Sequence, residues 1–371
     1  MIKILHILAT PRGEGTPNLV LDWLNTGLHH QEVFALDHYP PDLTPQLSSA
    51  AQWYGASDQG LLKGWKSFLR LMRAVTAVCS ERQPDVVICW VHGLSPWICL
   101  GAWRSGVRRI LVHAGNPPTR SFRHDWLTRY ANWPLWLLKA KVVCCSRYVC
   151  QTLQKVPFVP EKLFHVVYNC SRAEKVQQRA MVARAGRVSS DDRVAIMVAT
   201  LERHKDHATL LHAVPEIVRR VPSFKLLLAG DGSLRQPLEL MAREMGKDAV
   251  CFLGSRQDVP ELLGSSDLFV FSTTDQEGLG SVLLEAMAAG LPIVASDVPA
   301  CREVLKNGLL GELVPPSDPQ AMADKIVEML NDKGRTESLM SLYDIELAGY
   351  APPKMIKEYL ALVALESTSH G

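Results

Sequence analysis

The sequence lacks any apolar run of the roughly 18 residues that a membrane-spanning helix needs. It also lacks a C-x-x-C pair and any Cys/His spacing that would hold zinc, so no structural metal is expected. Its opening, MIKILHILAT, has one lysine and a short apolar run and then meets Pro11 and Gly13. That is the pattern of a first β-strand, not of a cleavable leader. Nine cysteines, an odd number, in a chain of this kind point to reduced thiols and a cytoplasmic setting. Excess charge is missing too: 40 Lys and Arg against 38 Asp and Glu leave +2, which removes the electrostatic ground for a nucleic-acid partner. No repeat of roughly 20–50 residues is present. What is there is an ordinary globular composition, 47% hydrophobic and 21% charged, over 371 residues. That length exceeds one typical core and predicts two domains.

Short apolar or β-branched runs alternate with helical patterns throughout. The first series is Lys3–Leu8, Glu32–Leu36, Asp85–Trp90, Arg109–His113, Lys141–Cys145 and Phe164–Tyr168. A polar stretch, Ser171–Arg193, reads as a linker. The second series is Val194–Ala199, Phe224–Ala229, Val250–Leu253, Leu268–Phe271, Pro292–Ala295 and Glu312–Val314. Alternation of this kind predicts α/β architecture: two Rossmann-like, doubly wound parallel-sheet domains facing across a cleft, with ligands bound beyond the carboxyl ends of the strands. The assignment is 1–172 for the first domain and 173–351 for the second. The last amphipathic stretch, Pro352–Leu365, either extends the second domain or crosses back, and 352–371 is assigned to the first.

The segment Glu277–Gly290, EGLGSVLLEAMAAG, carries the strongest chemical signal. The hydrophobic run DLFVFSTTD precedes it as a buried strand would. A helix beginning near Gly280 then offers unpaired N–H groups and a positive dipole end, which suit a phosphate. Glu277 stands before that cradle and Glu285 inside it, among Leu283, Leu284, Ala286 and Met287. The structural alternative is that Glu277 caps the helix and Glu285 pairs with a buried base. Other strand ends agree with a phosphate. After Val194–Ala199 come Arg203, His204, Lys205 and His207, with Lys205 expected to start a helix, and these cations suit a diphosphate. Gly230 and Gly232 in LLLAGDGS permit close approach, and Ser255 and Arg256 follow the third strand. In the first domain, Gly13 and Gly15 with Asp37 make a partial G-x-G-x-x-G fingerprint in which Asn18 takes the third glycine position, and an ordinary tight turn also explains it. His92 and His113 end adjacent strands. Arg120–Lys141 mixes base and aromatic, with Trp126, Tyr130 and Trp133 at helical spacing. It reads either as a membrane-interface surface (120–141) or as a helix packed on the sheet and ended by Pro134.

These residues resemble the retaining GT-B glycosyltransferases of family 4. The resemblance runs from VATLERHKDHATLL through LLLAGDG, VCFLG and EGLGSVLLEAMAAGLPIVAS to GELVPP, about 125 residues with the family's E-x7-E pair at Glu277 and Glu285. ILHILATPRGEG, ILVHAGN and VVYNCS match more loosely. The resemblance implies a metal-independent transfer of a hexose-type sugar, with retention, from a nucleotide-diphosphate donor to a glycan or lipid-linked acceptor, and no cofactor. It implies Lys205 at the diphosphate, Glu285 at the ribose and Glu277 at the transferred sugar. The backbone of Gly278, Leu279, Gly280 and Ser281 would hold sugar and phosphate, Gly15 would approach the phosphates from the first domain, and His113 would line the reaction site. Thr200 stands where members carry an arginine, for which Arg203 would substitute. The implied place is the cytoplasm or the inner face of its membrane. Three other readings stay open at this stage: a nicotinamide dehydrogenase using Gly13, Gly15 and Asp37, a nucleotide-sugar epimerase, and a non-catalytic sugar-nucleotide-binding protein.

Overall fold

The computed structural model describes residues 2–10, 15–36, 46–47, 52–55, 67–118, 131–155, 159–186, 191–246 and 249–364. The chain divides into two compact units, Met1–Cys170 with Pro352–Gly371, and Ser171–Ala351.

Unit 1 is built on seven strands: β1 (Lys3–Leu8), β2 (His30–Ala35), β3 (Gln52–Gly55), β4 (Val86–Cys89), β5 (Arg109–Ala114), β6 (Lys141–Cys144) and β7 (Phe164–Val166). They lie in the order β3-β2-β1-β4-β5-β6-β7, and every pairing is parallel. Runs such as VVIC in β4 are continuously apolar because both faces of the sheet are covered, and all four of its residues are buried. β3, QWYG, had no counterpart in the sequence reading. Four residues are too few to show a period, and it is a strand because Glu32–Ala35 of β2 supplies a pairing edge for it. The helices Ser67–Arg82 and Ser95–Arg104 approach so closely that a Cβ on Gly101 would lie 2.7 Å from the Met72 carbonyl oxygen. The last helix, Pro352–Ala364, packs in this unit. Its Met355, Ile356, Tyr359 and Val363 share one buried core with Trp23, Leu24 and Trp90.

Unit 2 holds six strands: β8 (Arg193–Val198), β9 (Phe224–Ala229), β10 (Val250–Gly254), β11 (Leu268–Phe271), β12 (Ile293–Ser296) and β13 (Glu312–Val314). Their order is β10-β9-β8-β11-β12-β13, again with parallel pairings. Strand order reverses between β8 and β11, so the loops leaving these two strands run side by side at the carboxyl edge. This is where open α/β sheets form their crevice.

Two expectations are corrected here. The polar stretch after Ser171 is not a linker but a helix, Ala173–Ala185, which buries Val176 and Ala180. A Cβ on Gly264 would sit 2.2 Å from the Ala180 carbonyl oxygen, and Arg179 grips Glu261 with two bonds of 2.7 and 2.6 Å. So narrow a buried stripe leaves the composition polar, which hid the helix. Pro134 does not end a helix: residues 131–137 are helical through it, and its carbonyl accepts the Leu138 N–H at 3.0 Å. Proline loses a donor, not its acceptor. No helix among the described residues is long and apolar enough to cross a membrane.

Candidate functional site

The loop after β8 carries the first half of the site. Arg203–Lys205 form a single 3-10 turn, Asp206 adopts a left-handed conformation (φ 41°), and the helix His207–Arg220 starts after it. Lys205 therefore precedes the helix instead of starting it, because the left-handed residue interrupts the helical path. Four donors from the end of β11 fasten this turn. The Ser272 hydroxyl donates to the Asp206 carbonyl at 2.8 Å. The Thr273 hydroxyl (3.0 Å), the Thr274 N–H (2.9 Å) and the Thr274 hydroxyl (3.2 Å) all donate to the His204 carbonyl. Lys205 is held between two anchored carbonyls.

The second half is the turn after β11. Lys205 Nζ donates to Glu277 Oε2, and Glu277 Oε1 accepts the N–H groups of Gly278 and Gly280 at 3.2 Å each. The Lys205 ammonium also stands 5.1 Å from the centre of the Phe271 ring. Glu277 is only 7% exposed. Burial would raise its pKa, but the Lys205 charge and hydrogen bond, then His204 and the Gly278 N–H, hold it below the ordinary value. Burial and then Lys205 push His204 down as well. His207 falls to about 4 through burial, Lys205 and His204. Both imidazoles are neutral near pH 7, and Lys205 and Glu277 are the charged pair at the centre. Gly280 (φ 74°) opens the helix Ser281–Ala288, and a Cβ there would press on Leu283 and Phe271 at 3.2 and 3.3 Å. Leu279 is buried, Ser281 exposed, and Glu285 half-buried between Leu284 and Ala286.

The glycines after β9 have a different first duty from the one expected. A Cβ on Gly230 (φ 145°) would lie 1.9 Å from the Ala199 carbonyl oxygen, and one on Gly232 would lie 2.6 Å from that of Leu201. They let the β9 loop seat against the Lys205-bearing loop. The seating is completed by Leu201 N–H to Asp231 O (3.0 Å) and by Glu202, whose carboxylate accepts the Ser233 N–H at 2.9 Å and hydroxyl at 2.7 Å. Ser255 and Arg256 leave β10 at the sheet edge, two strands from β8, and are exposed. Arg256 is engaged by Asp258 at 2.7 and 2.5 Å and is not brought to the Lys205–Glu277 pair. Arg203 is exposed and meets no carboxylate among the described residues.

In unit 1, Gly15 begins the helix Gly15–Leu24. It borders a cavity of about 290 Å³ at the carboxyl ends of β1 and β4, lined by Leu8, Ala9, Thr10, Gly15, Thr16, Pro17 and Trp90. Gly13 and Asp37 lie outside the described residues, as do Arg120, Trp126 and Tyr130. His113 is 2% exposed, with Nδ1 2.8 Å from the Tyr359 hydroxyl and its ring centre 4.9 Å from that of Trp90. Burial, and then His92, lower its pKa to about 3, so it is a neutral hydrogen-bonding group. His92 bonds Asn132 at 3.1 Å. Sequence reasoning missed Ser272, Thr273, Thr274, Glu202 and Tyr359. The small polar residues ending DLFVFSTTD were a legible sign of the clamp, but nothing local ties Tyr359 to His113, 246 positions away.

Residues 182–343 match the family "Glycosyl transferases group 1". The chain is 32% identical over 177 residues to N-acetyl-alpha-D-glucosaminyl L-malate synthase of Bacillus anthracis, covering 47% of this chain and 46% of that protein. It is 37% identical over 139 residues to phosphatidyl-myo-inositol mannosyltransferase of Mycobacterium tuberculosis, covering 35% and 36%. The matched stretch is thus less than half the length of these curated relatives. Among solved structures, Anabaena Alr3699/HepE in complex with UDP and glucose superposes with a TM-score of 0.85 at 18% identity, over 98% of this chain and all of that one. WaaG, a glycosyltransferase involved in lipopolysaccharide biosynthesis, gives 0.69 at 15% identity, over 99% and 100%. Likeness at that identity establishes the two-unit Rossmann-like α/β fold.

Proposed function

Because residues 182–343 match the glycosyl transferases group 1 family, we propose that the protein is a retaining, metal-independent glycosyltransferase. It would move a hexose-type sugar from a nucleotide-diphosphate donor to a glycan or lipid-linked acceptor. The observation that carries this reading is the buried Lys205–Glu277 pair at the β8/β11 reversal, beside the helix that opens at Gly280. Since HepE is described with UDP and glucose, a uridine donor is the first to test.

In the proposed reaction the bond from the anomeric carbon to the phosphate oxygen breaks, and its electron pair leaves with the nucleoside diphosphate. Lys205 and backbone N–H groups at the start of the Ser281–Ala288 helix counter the growing charge, with Arg203, from the same turn as Lys205, as a second cation. The acceptor oxygen bonds to the same face of the oxocarbenium-like sugar, and its proton passes to the departing phosphate. Glu277 orients the sugar and Glu285 the ribose hydroxyls. Nδ1 of His113 is committed to Tyr359, so any contact of this ring with a sugar hydroxyl would be made by Nε2.

The test is a thermal-shift screen of nucleoside diphosphates and their sugars, followed by transfer assays with the hit. A ligand at about 100 times its Kd raises stability by roughly 2.7 kcal/mol. Lys205→Ala is expected to lower turnover by about 10²–10³-fold, the typical worth of one such donor. Added chelator is expected to leave the rate unchanged. Retention of wild-type turnover by Lys205→Ala overturns the assignment.

A further inference from the structure

We propose that the Glu277 carboxylate is an internal competitor for the phosphate cradle, and that it makes the site select sugar-bearing donors over bare nucleoside diphosphates. The inference rests on the donor-site reading above and adds one thing to it: the groups that would hold the phosphate are already engaged. Lys205 Nζ donates to Glu277 Oε2, and the N–H groups of Gly278 and Gly280 donate to Oε1 at 3.2 Å each. A carboxylate and a phosphate take the same partners, an ammonium and backbone N–H groups at a helix start. In the free protein the cradle is therefore filled by an anion of its own chain.

Of the two charged partners, the carboxylate is the one placed to leave. The Lys205 turn is clamped by Ser272, Thr273 and Thr274 through the carbonyls of His204 and Asp206, and the ammonium stands over the Phe271 ring. The cradle is equally fixed: Phe271 and Leu283 crowd Gly280, whose carbonyl accepts the Leu283 N–H at 2.8 Å. The Glu277 main chain is tied by its N–H to the Thr274 carbonyl at 3.1 Å. A change of side-chain rotamer at Glu277 then frees the ammonium and both N–H groups while the backbone stays in place.

Once displaced, the carboxylate lies in a poorly hydrated site beside a phosphate of like charge. An ionised group so placed is costly without partners. A sugar-bearing donor supplies them, since its hydroxyls donate to the carboxylate that Lys205 has released. Pyrophosphate or a nucleoside diphosphate has no hydroxyl at that end and meets an unpaired carboxylate instead. Specificity of this kind comes from penalising the wrong ligand. After transfer the carboxylate returns to Lys205 and the two N–H groups, and so hastens departure of the nucleoside diphosphate.

The test is titration calorimetry of the full chain with pyrophosphate, UDP and UDP-glucose, for wild type and Glu277→Gln. The variant keeps the shape of the side chain and removes its charge. It is expected to bind pyrophosphate and UDP about tenfold more tightly than wild type, the worth of a charged hydrogen bond that no longer competes. UDP-glucose should gain less than UDP, because bonds from the sugar to a neutral amide are weaker than to a carboxylate. A residue that merely held the loop would weaken all three ligands together. At about 1 M salt, where charges act over only about 3 Å, the ratio of variant to wild-type affinity should persist, as direct competition requires. Glu277→Ala should show the same gain for pyrophosphate and UDP, and it decides if Glu277→Gln does not fold. No gain for pyrophosphate and UDP, a gain that vanishes in salt, or an equal gain for UDP-glucose overturns the inference and leaves the donor site standing. Wild-type affinity of Lys205→Ala for UDP overturns both.

Discussion

Replacing Lys205 with methionine tests the charge logic of the site independently of any substrate. The substitution keeps an apolar stem of similar length and leaves the Glu277 carboxylate, 7% exposed, with only the Gly278 and Gly280 N–H groups. Removing one partner of a buried pair typically costs about 3–5 kcal/mol, and the two remaining hydrogen bonds place the expectation at the lower end. In a unit of this size each kcal/mol moves the midpoint by about 2–4 °C, so a drop of roughly 6–12 °C at pH 7 is expected. The pH dependence fixes the cause. In the wild type, Glu277 titrates below its unfolded value of 4.5, so its stabilisation is present above that pH and is lost as pH falls through the folded value. Without Lys205 the leading influence is burial, which raises the carboxyl's pKa, so the variant's penalty appears as pH rises above 4.5 and disappears below it. The gap between the two proteins should therefore close on going from pH 7 to pH 4. Lys205→Met/Glu277→Gln should recover much of the loss, because no charge is left buried. Scanning calorimetry of the three proteins checks this. A variant as stable as wild type at pH 7, or a gap that ignores pH, would refute the reasoning.

Gly230→Ala should destabilise unit 2 by more than about 3 kcal/mol and abolish nucleotide binding, since a Cβ 1.9 Å from the Ala199 carbonyl must displace the Lys205-bearing loop; a thermal scan and ligand titration suffice. Tyr359→Phe leaves His113 Nδ1 without its partner, and unit 1 should lose about 1–2 kcal/mol in denaturant unfolding. His6 (about 4) and His113 (about 3) titrate below their unfolded value of 6.5. Their stabilisation is complete above that pH and is lost toward pH 4 at up to about 1.4 kcal/mol per pH unit each, so a midpoint that stays flat from pH 6.5 to 4.5 would count against their burial as neutral rings.

The strand–helix alternation was readable because parallel strands covered on both faces are rich in apolar and β-branched residues, and twelve of the thirteen strands described were legible as short runs of that kind. Glu277 and Glu285 were legible for a local reason as well: strand, glycine turn and apolar helix follow one another within a single stretch of chain. The four-residue β3 and the polar helix Ala173–Ala185 were not legible, since one owes its form to a neighbouring strand and the other buries only a thin stripe.

By itself, then, the sequence determined the fold class, the place of the carboxylate loop and the presence of a cation after β8. Each of these depends on residues close together in the chain, where periodicity and turn chemistry act. Tertiary structure alone decided that Lys205 and Glu277, 72 positions apart, form one ion pair. It also decided that Ser272, Thr273 and Thr274 clamp the lysine turn, that Gly230 and Gly232 serve loop packing, and that the last helix brings Tyr359 to His113. The first three come from strand order, which sets the β8 loop beside those of β11 and β9, and the last from the return of the helix Pro352–Ala364 to unit 1. Contacts of that range leave no period or spacing in the chain from which to read them.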